Sequence, residues 1–151
     1  VVLELAAAGT VAAMARALGP GGITEDSARW VFRQLADGLR YLHSRNPPLV
    51  HRDIKGANLL LTTNGLVKIA DFGLARELTA GPIRDVAGTP GWMAPEVIAE
   101  SDYEVDADVW SAACTLVEIL EGGHPWLRND HVARLAMLYL VCIGSFVTVA
   151  R

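Results

Sequence analysis

The sequence predicts a mainly α domain with short β-hairpins, and three observations carry that prediction. Apolar residues recur at Ala28, Val31, Phe32, Leu35, Leu39 and Leu42, the spacing of a helix with one buried face. The stretch from about Ala107 to Leu120 is apolar nearly all round, as a buried central helix would be. Between them, Leu59-Leu60-Leu61 and Val67-Lys68-Ile69-Ala70 flank a turn at Thr63-Asn64-Gly65, the pattern of a hairpin.

The remaining elements follow in chain order. Val1 to Leu5 is a short apolar run with one charge, consistent with a buried strand, and Ala6 to Gly9 reads as a flexible connection. Thr10 to Leu18 reads as a short helix closed by Gly19-Pro20-Gly21-Gly22. Thr24 suits a helix N-cap, and Glu25 and Asp26 then sit in the first turn, where the helix dipole favours acids. Pro47-Pro48 ends that helix. Leu49-Val50 leads into a polar stretch, His51 to Asn58, that precedes the hairpin. A loop is expected from about Leu74 to Pro95, and Gly122-Gly123 stops the central helix.

Composition narrows the function. The chain is 52% hydrophobic and 20% charged, with a net charge of -4 and no basic stripe, which argues against nucleic acid as a partner. Cys114 and Cys142 lie in apolar runs and are too few for a disulfide framework, so an intracellular, cytoplasmic setting is expected. No Cys/His spacing reads as a zinc site. The uncharged run 135–150 is short of the roughly 20 residues a spanning helix needs, which argues against a membrane segment.

The chemistry concentrates in two short stretches. Moving a phosphoryl group requires metal ligands, a positive charge near the transferred phosphate, and a base beside the acceptor hydroxyl. Asp53 can accept the hydroxyl proton, Lys55 can reach the phosphate, Asn58 offers a neutral oxygen and Asp71 an anionic one to Mg²⁺. A lone His-Arg-Asp tripeptide would be an ordinary polar loop. His-Arg-Asp-x-Lys-x-x-Asn followed by Asp71-Phe72-Gly73 demands several coincident offsets.

These motifs, with Gly88-Thr89-Pro90-Gly91-Trp92-Met93-Ala94-Pro95-Glu96 and Asp108-Val109-Trp110-Ser111, resemble the C-terminal lobe of eukaryotic protein kinases. Lys55 and Gly88-Thr89 are similar to the serine/threonine class, and the wording of the loops is most similar to the sterile-20 and mitogen-activated kinase kinase kinase groups. The resemblance implies ATP and Mg²⁺ as cofactors and a protein Ser or Thr hydroxyl as acceptor. It places Leu3 behind the adenine, the backbone of Glu4 and Ala6 on the adenine edge, and Leu60 beneath the base. It has Thr89 bracing Asp53 and Lys55, His51 stacking under the Asp-Phe-Gly turn, and Asp108 anchoring the backbone of His51 and Arg52. Asp108 could equally be a helix N-terminal acid favoured by the dipole. His43, His124 and His131 carry no motif and are read as structural or surface residues.

The resemblance also singles out Asp85, four residues before Thr89, where many relatives carry a phosphorylated Ser or Thr. Asp85 could stand in for that phosphate against Arg52 and Arg76, weakly because a carboxylate has less charge and fewer acceptors. The alternative is a solvated loop acid. Gly91 takes a place that is usually aromatic, in the loop that receives substrate. The family's Gly-rich loop and strand lysine do not occur. The expectation is therefore a partial kinase domain over residues 1–131, with the N-terminal lobe missing, followed by a divergent apolar tail over 132–151 that lacks the usual arginine partner of Glu96. From about Leu140 the tail reads like translated intron. Such a fragment is expected to be a poor kinase by itself, and a non-catalytic protein-binding module is the rival reading.

Overall fold

The computed structural model describes residues 7–126. The expected strand at Val1–Leu5, the adenine-edge positions Glu4 and Ala6, and the apolar tail lie outside the described residues.

Helix α1 spans Val11–Leu18 and begins where Thr10 caps it, its side chain accepting from the Ala13 backbone N–H. It ends at Gly19, whose φ of 71° is costly for residues with a Cβ. Helix α2 spans Glu25–His43, capped by Thr24, with Glu25 and Asp26 in its first turn. Its buried side chains are Ala28, Val31, Leu35, Leu39 and Leu42, and Phe32 packs partly buried beside them. Full burial of Leu35 and Leu39 contributes about 1.5–3 kcal/mol each.

Strand β1, Leu49–Val50, leads into the polar loop. Strands β2, Leu59–Leu61, and β3, Val67–Ile69, form the expected hairpin in the register Leu59↔Ile69. Strand β4, Arg76–Glu77, pairs antiparallel with β1, Val50 opposite Arg76. This corrects the loop expected from Leu74 onward. Two residues show no periodicity, and the pairing partner is distant in sequence, so nothing local signals the strand. The four-residue helix α3, Pro95–Ile98, carries Pro at its start, where the missing N–H costs nothing.

Helix α4, Asp106–Glu121, is the structural centre. Eleven of its residues are buried, among them Asp108, Ser111, Thr115 and Glu118. It packs on α1 and α2, and the main core joins all three to the hairpin through Ile54, Leu59, Ala112 and Ile119. A second cluster, Val50, Ile83, Ala94, Val97, Tyr103 and Ala107, lies under β1 and α3. Polar side chains on an otherwise apolar helix have to find partners inside, and those partners build the site. Among the described residues no helix is long and apolar enough to cross a membrane.

Candidate active site

The loop after β1 is held from below by α4. Asp108 is fully buried; its Oδ1 accepts from the Arg52 backbone N–H at 2.8 Å and its Oδ2 from that of His51 at 2.8 Å. His43, at the end of α2, donates Nε2–H to the same Oδ2 at 2.9 Å. The sequence read His43 only as structural or surface; its partner lies 65 positions away, beyond any local pattern. Arg52 has φ 72°, a conformation that costs a non-glycine residue on the order of 1 kcal/mol, and the Asp108 carboxylate holds it there.

His51 is buried and sets the next layer. Its Nδ1 accepts the Asp53 backbone N–H at 3.3 Å, so Nε2 carries the proton and donates to Ala70 O at 3.0 Å. Its ring meets Phe72 edge-on at 4.8 Å. One imidazole thus ties the base-bearing loop to the segment leading into Asp71.

Three side chains converge on Asp53. Lys55 Nζ donates to Asp53 Oδ2 at 2.7 Å and to Thr89 Oγ1 at 2.6 Å, and Thr89 Oγ1 donates to Asp53 Oδ1 at 2.6 Å. Asn58 Nδ2 donates to Asp53 Oδ2 at 2.9 Å and to Asp53 O at 2.8 Å. Burial alone would raise the Asp53 carboxyl, but hydrogen bonds from Lys55, Thr89 and Asn58 and the Lys55 charge outweigh it and hold it below its usual range. Asp53 is therefore ionised at neutral pH, an acceptor whose position is fixed by its neighbours. The stability it contributes is present above the ordinary carboxylate pKa of 3.8 and is lost as pH falls through its lower folded value.

The hairpin brings the two proposed metal ligands together. Ala70 N donates to Asn58 O at 2.9 Å, so Asp71 follows directly beside Asn58. Asn58 commits its NH₂ to Asp53, which leaves Oδ1 as a neutral oxygen. Asp71 is exposed, has φ 60°, and uses one oxygen on Gly73 N at 3.4 Å. One neutral and one anionic hard oxygen fit Mg²⁺, and Asn58 and Asp71 would hold it. When bound, the ion would neutralise charge on the phosphates. Leu60, half-buried in β2 opposite Lys68, bridges Thr10.

Glu118 was not singled out from sequence. Buried on α4, it accepts from Gly56 N at 2.8 Å and from Trp92 Nε1 at 3.2 Å, both on Oε2. Burial raises its carboxyl, against those two bonds and the charges of Arg16 and Lys55. A raised acid contributes most stability at low pH and loses it as pH rises through the folded value. Glu118→Gln keeps an acceptor and removes the buried charge, so its stability relative to wild type is expected to improve as pH rises above the ordinary glutamate value of 4.5, read by urea titrations at pH 4 and pH 8. Glu118→Ala strands two donors and is expected to cost about 2–4 kcal/mol at either pH.

Asp85 occupies the predicted anion position. Arg52 Nη2 donates to its Oδ2 at 2.7 Å and Arg76 Nη1 to its Oδ1 at 3.0 Å. Tyr103 Oη donates to Asp85 O at 2.8 Å, and Ile83 bridges Tyr103 by paired backbone bonds. Desolvation would raise the Asp85 carboxyl, and the hydrogen bond and charge of Arg52, with Arg76, bring it below its usual value. Asp85 is thus an ion-paired residue rather than a freely solvated one. Glu96 Oε1 is buried without a hydrogen-bond partner among the described residues.

A carboxylate-bearing loop braced by lysine and threonine, beside a hairpin ending in two hard oxygens, presents the groups that phosphoryl transfer requires. The protein kinase domain model matches residues 1–143, and the chain belongs to the protein kinase family. It is 40% identical over 133 residues to mitogen-activated protein kinase kinase kinase ANP1 of Arabidopsis thaliana, covering 85% of this chain and 19% of that protein. It is 45% identical over 120 residues to mitogen-activated protein kinase kinase kinase 3 of Mus musculus (76% of this chain, 19% of that protein). Serine/threonine-protein kinase SKM1 of Saccharomyces cerevisiae is 40% identical over 121 residues, covering 79% and 18%. The chain therefore spans about one fifth of the length of these relatives.

Proposed function

We propose that the protein is a serine/threonine kinase that transfers the γ-phosphoryl group of ATP to hydroxyls of a protein substrate, and that residues 7–126 belong to the lobe carrying the base and metal ligands. The observation that carries this reading is the Asp53 cluster: an ionised carboxylate within 2.6–2.9 Å of Lys55, Asn58 and Thr89. Asp53 accepts and orients the acceptor hydroxyl, Lys55 offsets charge on the transferred group, and Asn58 and Asp71 would hold Mg²⁺. Thr89 keeps Asp53 and Lys55 in register. In this reading Leu60 lines the base of the nucleotide site, and the family resemblance assigns the adenine edge to Glu4 and Ala6. The acidic net charge and unpatterned cations support a protein rather than nucleic-acid partner, and the cysteine usage supports an intracellular, cytoplasmic location.

The test is transfer from γ-labelled ATP with Mg²⁺ to a mixed peptide library by the full-length protein. Label on Ser and Thr is the expected result. Mg²⁺-ATP binding without any transfer would overturn the kinase reading and favour the binding-module alternative.

Asp85 supports the same reading as a charge that orders the loop without modification. In a double-mutant cycle, Asp85→Asn and Arg52→Gln are expected to couple in kcat by about 1 kcal/mol, the size of a favourable partly exposed pair. Additive effects would reduce Asp85 to a loop acid.

A further inference from the structure

Gly91 lies two residues beyond Thr89, whose hydroxyl is 2.6 Å from Asp53 Oδ1. An acceptor that presents its hydroxyl to Asp53 has its neighbours one or two Cα steps of 3.8 Å away. Gly91 is likewise two Cα steps from Thr89, within reach of those neighbours. What stands over Gly91 is placed to meet a residue beside the acceptor.

Gly91 has φ +94°, a conformation side chains rarely adopt. A Cβ built there would lie 2.7 Å from His124 Nε2 and 2.8 Å from Cε1. The His124 imidazole thus occupies the space where a side chain at position 91 would begin. It is held there by two contacts: its ring meets Trp92 edge-on at 5.1 Å, and Nδ1 accepts the Trp126 backbone N–H at 3.3 Å. Trp126 in turn donates Nε1–H to Gly91 O at 2.6 Å and stacks on Trp110 at 6.5 Å. With Nδ1 accepting, the neutral ring carries its proton on Nε2. Among the described residues nothing accepts that proton, and His124 is exposed.

We propose that His124 is a specificity-determining residue that replaces the missing side chain at position 91 and selects a hydrogen-bond-accepting side chain beside the phosphorylated hydroxyl. Asp, Glu, Asn or Gln satisfies the Nε2 donor; an aliphatic residue leaves it against apolar surface, which a site built around a hydrogen bond penalises. Glycine at 91 is the condition for it, since any side chain there strains the backbone and pushes the imidazole away.

This inference rests on the kinase reading, and the experiment separates the two. The full-length protein is assayed on a Ser/Thr peptide array randomised at the two residues on each side of the acceptor. One of those positions is expected to favour acceptor side chains over Leu and Val by about five- to tenfold in kcat/KM, as one hydrogen bond allows. His124→Phe, which keeps a ring on Trp92, is expected to abolish that preference while leaving kcat on the best aliphatic peptide within about twofold. His124→Gln restores a donor and should retain part of the preference. Gly91→Ala should lose it together with catalytic efficiency. Label on peptides without any such preference, or a preference that survives His124→Phe, overturns the inference alone. No label on any peptide overturns the kinase reading beneath it.

Discussion

Replacing Asp108 with alanine is expected to remove about 4 kcal/mol of stability, which a domain of ordinary stability, about 5–15 kcal/mol, barely survives. Its carboxylate accepts three hydrogen bonds, from the backbone of His51 and Arg52 and from the His43 ring, in a position with no access to water. Alanine strands all three donors, at about 1–3 kcal/mol for each, with partial relief as the loop relaxes. It also frees Arg52 from φ 72° and removes the support under Asp53. Asp108→Asn should fall between, because its amide oxygen can serve one side while its NH₂ faces donors. Urea denaturation followed by far-UV circular dichroism measures both. An Asp108→Ala midpoint within error of wild type would show that the three bonds do not hold the loop.

Replacing Asp53 with asparagine is expected to lower kcat for phosphoryl transfer by about 10²–10⁴-fold, the range that a positioned base contributes. The substitution is nearly isosteric, but it removes the ionised acceptor and turns an NH₂ toward Lys55 Nζ and Asn58 Nδ2, both donors. KM for ATP should change little, because Asp53 is not among the residues assigned to the nucleotide. Because the Asp53 carboxyl is held below its usual range, wild-type activity should show no acid limb from this group down to about pH 5. Steady-state kinetics at pH 5.5, 7 and 8.5 test both statements. A variant that raises KM for ATP and spares kcat would assign Asp53 to binding instead.

Much of the architecture was legible because local rules set it. Thr24 announces its helix by the hydroxyl it offers to a backbone N–H three residues on. Asn64-Gly65 announces the hairpin, and the α2 periodicity matches its buried face. The Asp53 cluster could be anticipated because three of its members share one short loop at fixed offsets. Strand β4 and the roles of His43 and Glu118 were not legible. Each depends on a partner 26 or more positions away, and a single Glu or His in a helix gives no hint of which group it will meet.

Sequence alone supplies the chemical groups, two carboxylates, a lysine and an asparagine, at offsets that resemble those of protein kinases. It also indicates α1, α2 and α4, since capping and periodicity are local properties. The tertiary structure alone decided how those groups are aimed. Asp108 and Glu118 on one buried helix fix the backbone of the base-bearing loop, Asp85 locks Arg52 and Arg76, and His124 fills the space above Gly91. The physical reason is the cost of burying polar groups. A carboxylate on a central helix must find donors, and Asp108 and Glu118 find them in the loops folded over the helix and, for Asp108, in His43 at the end of α2.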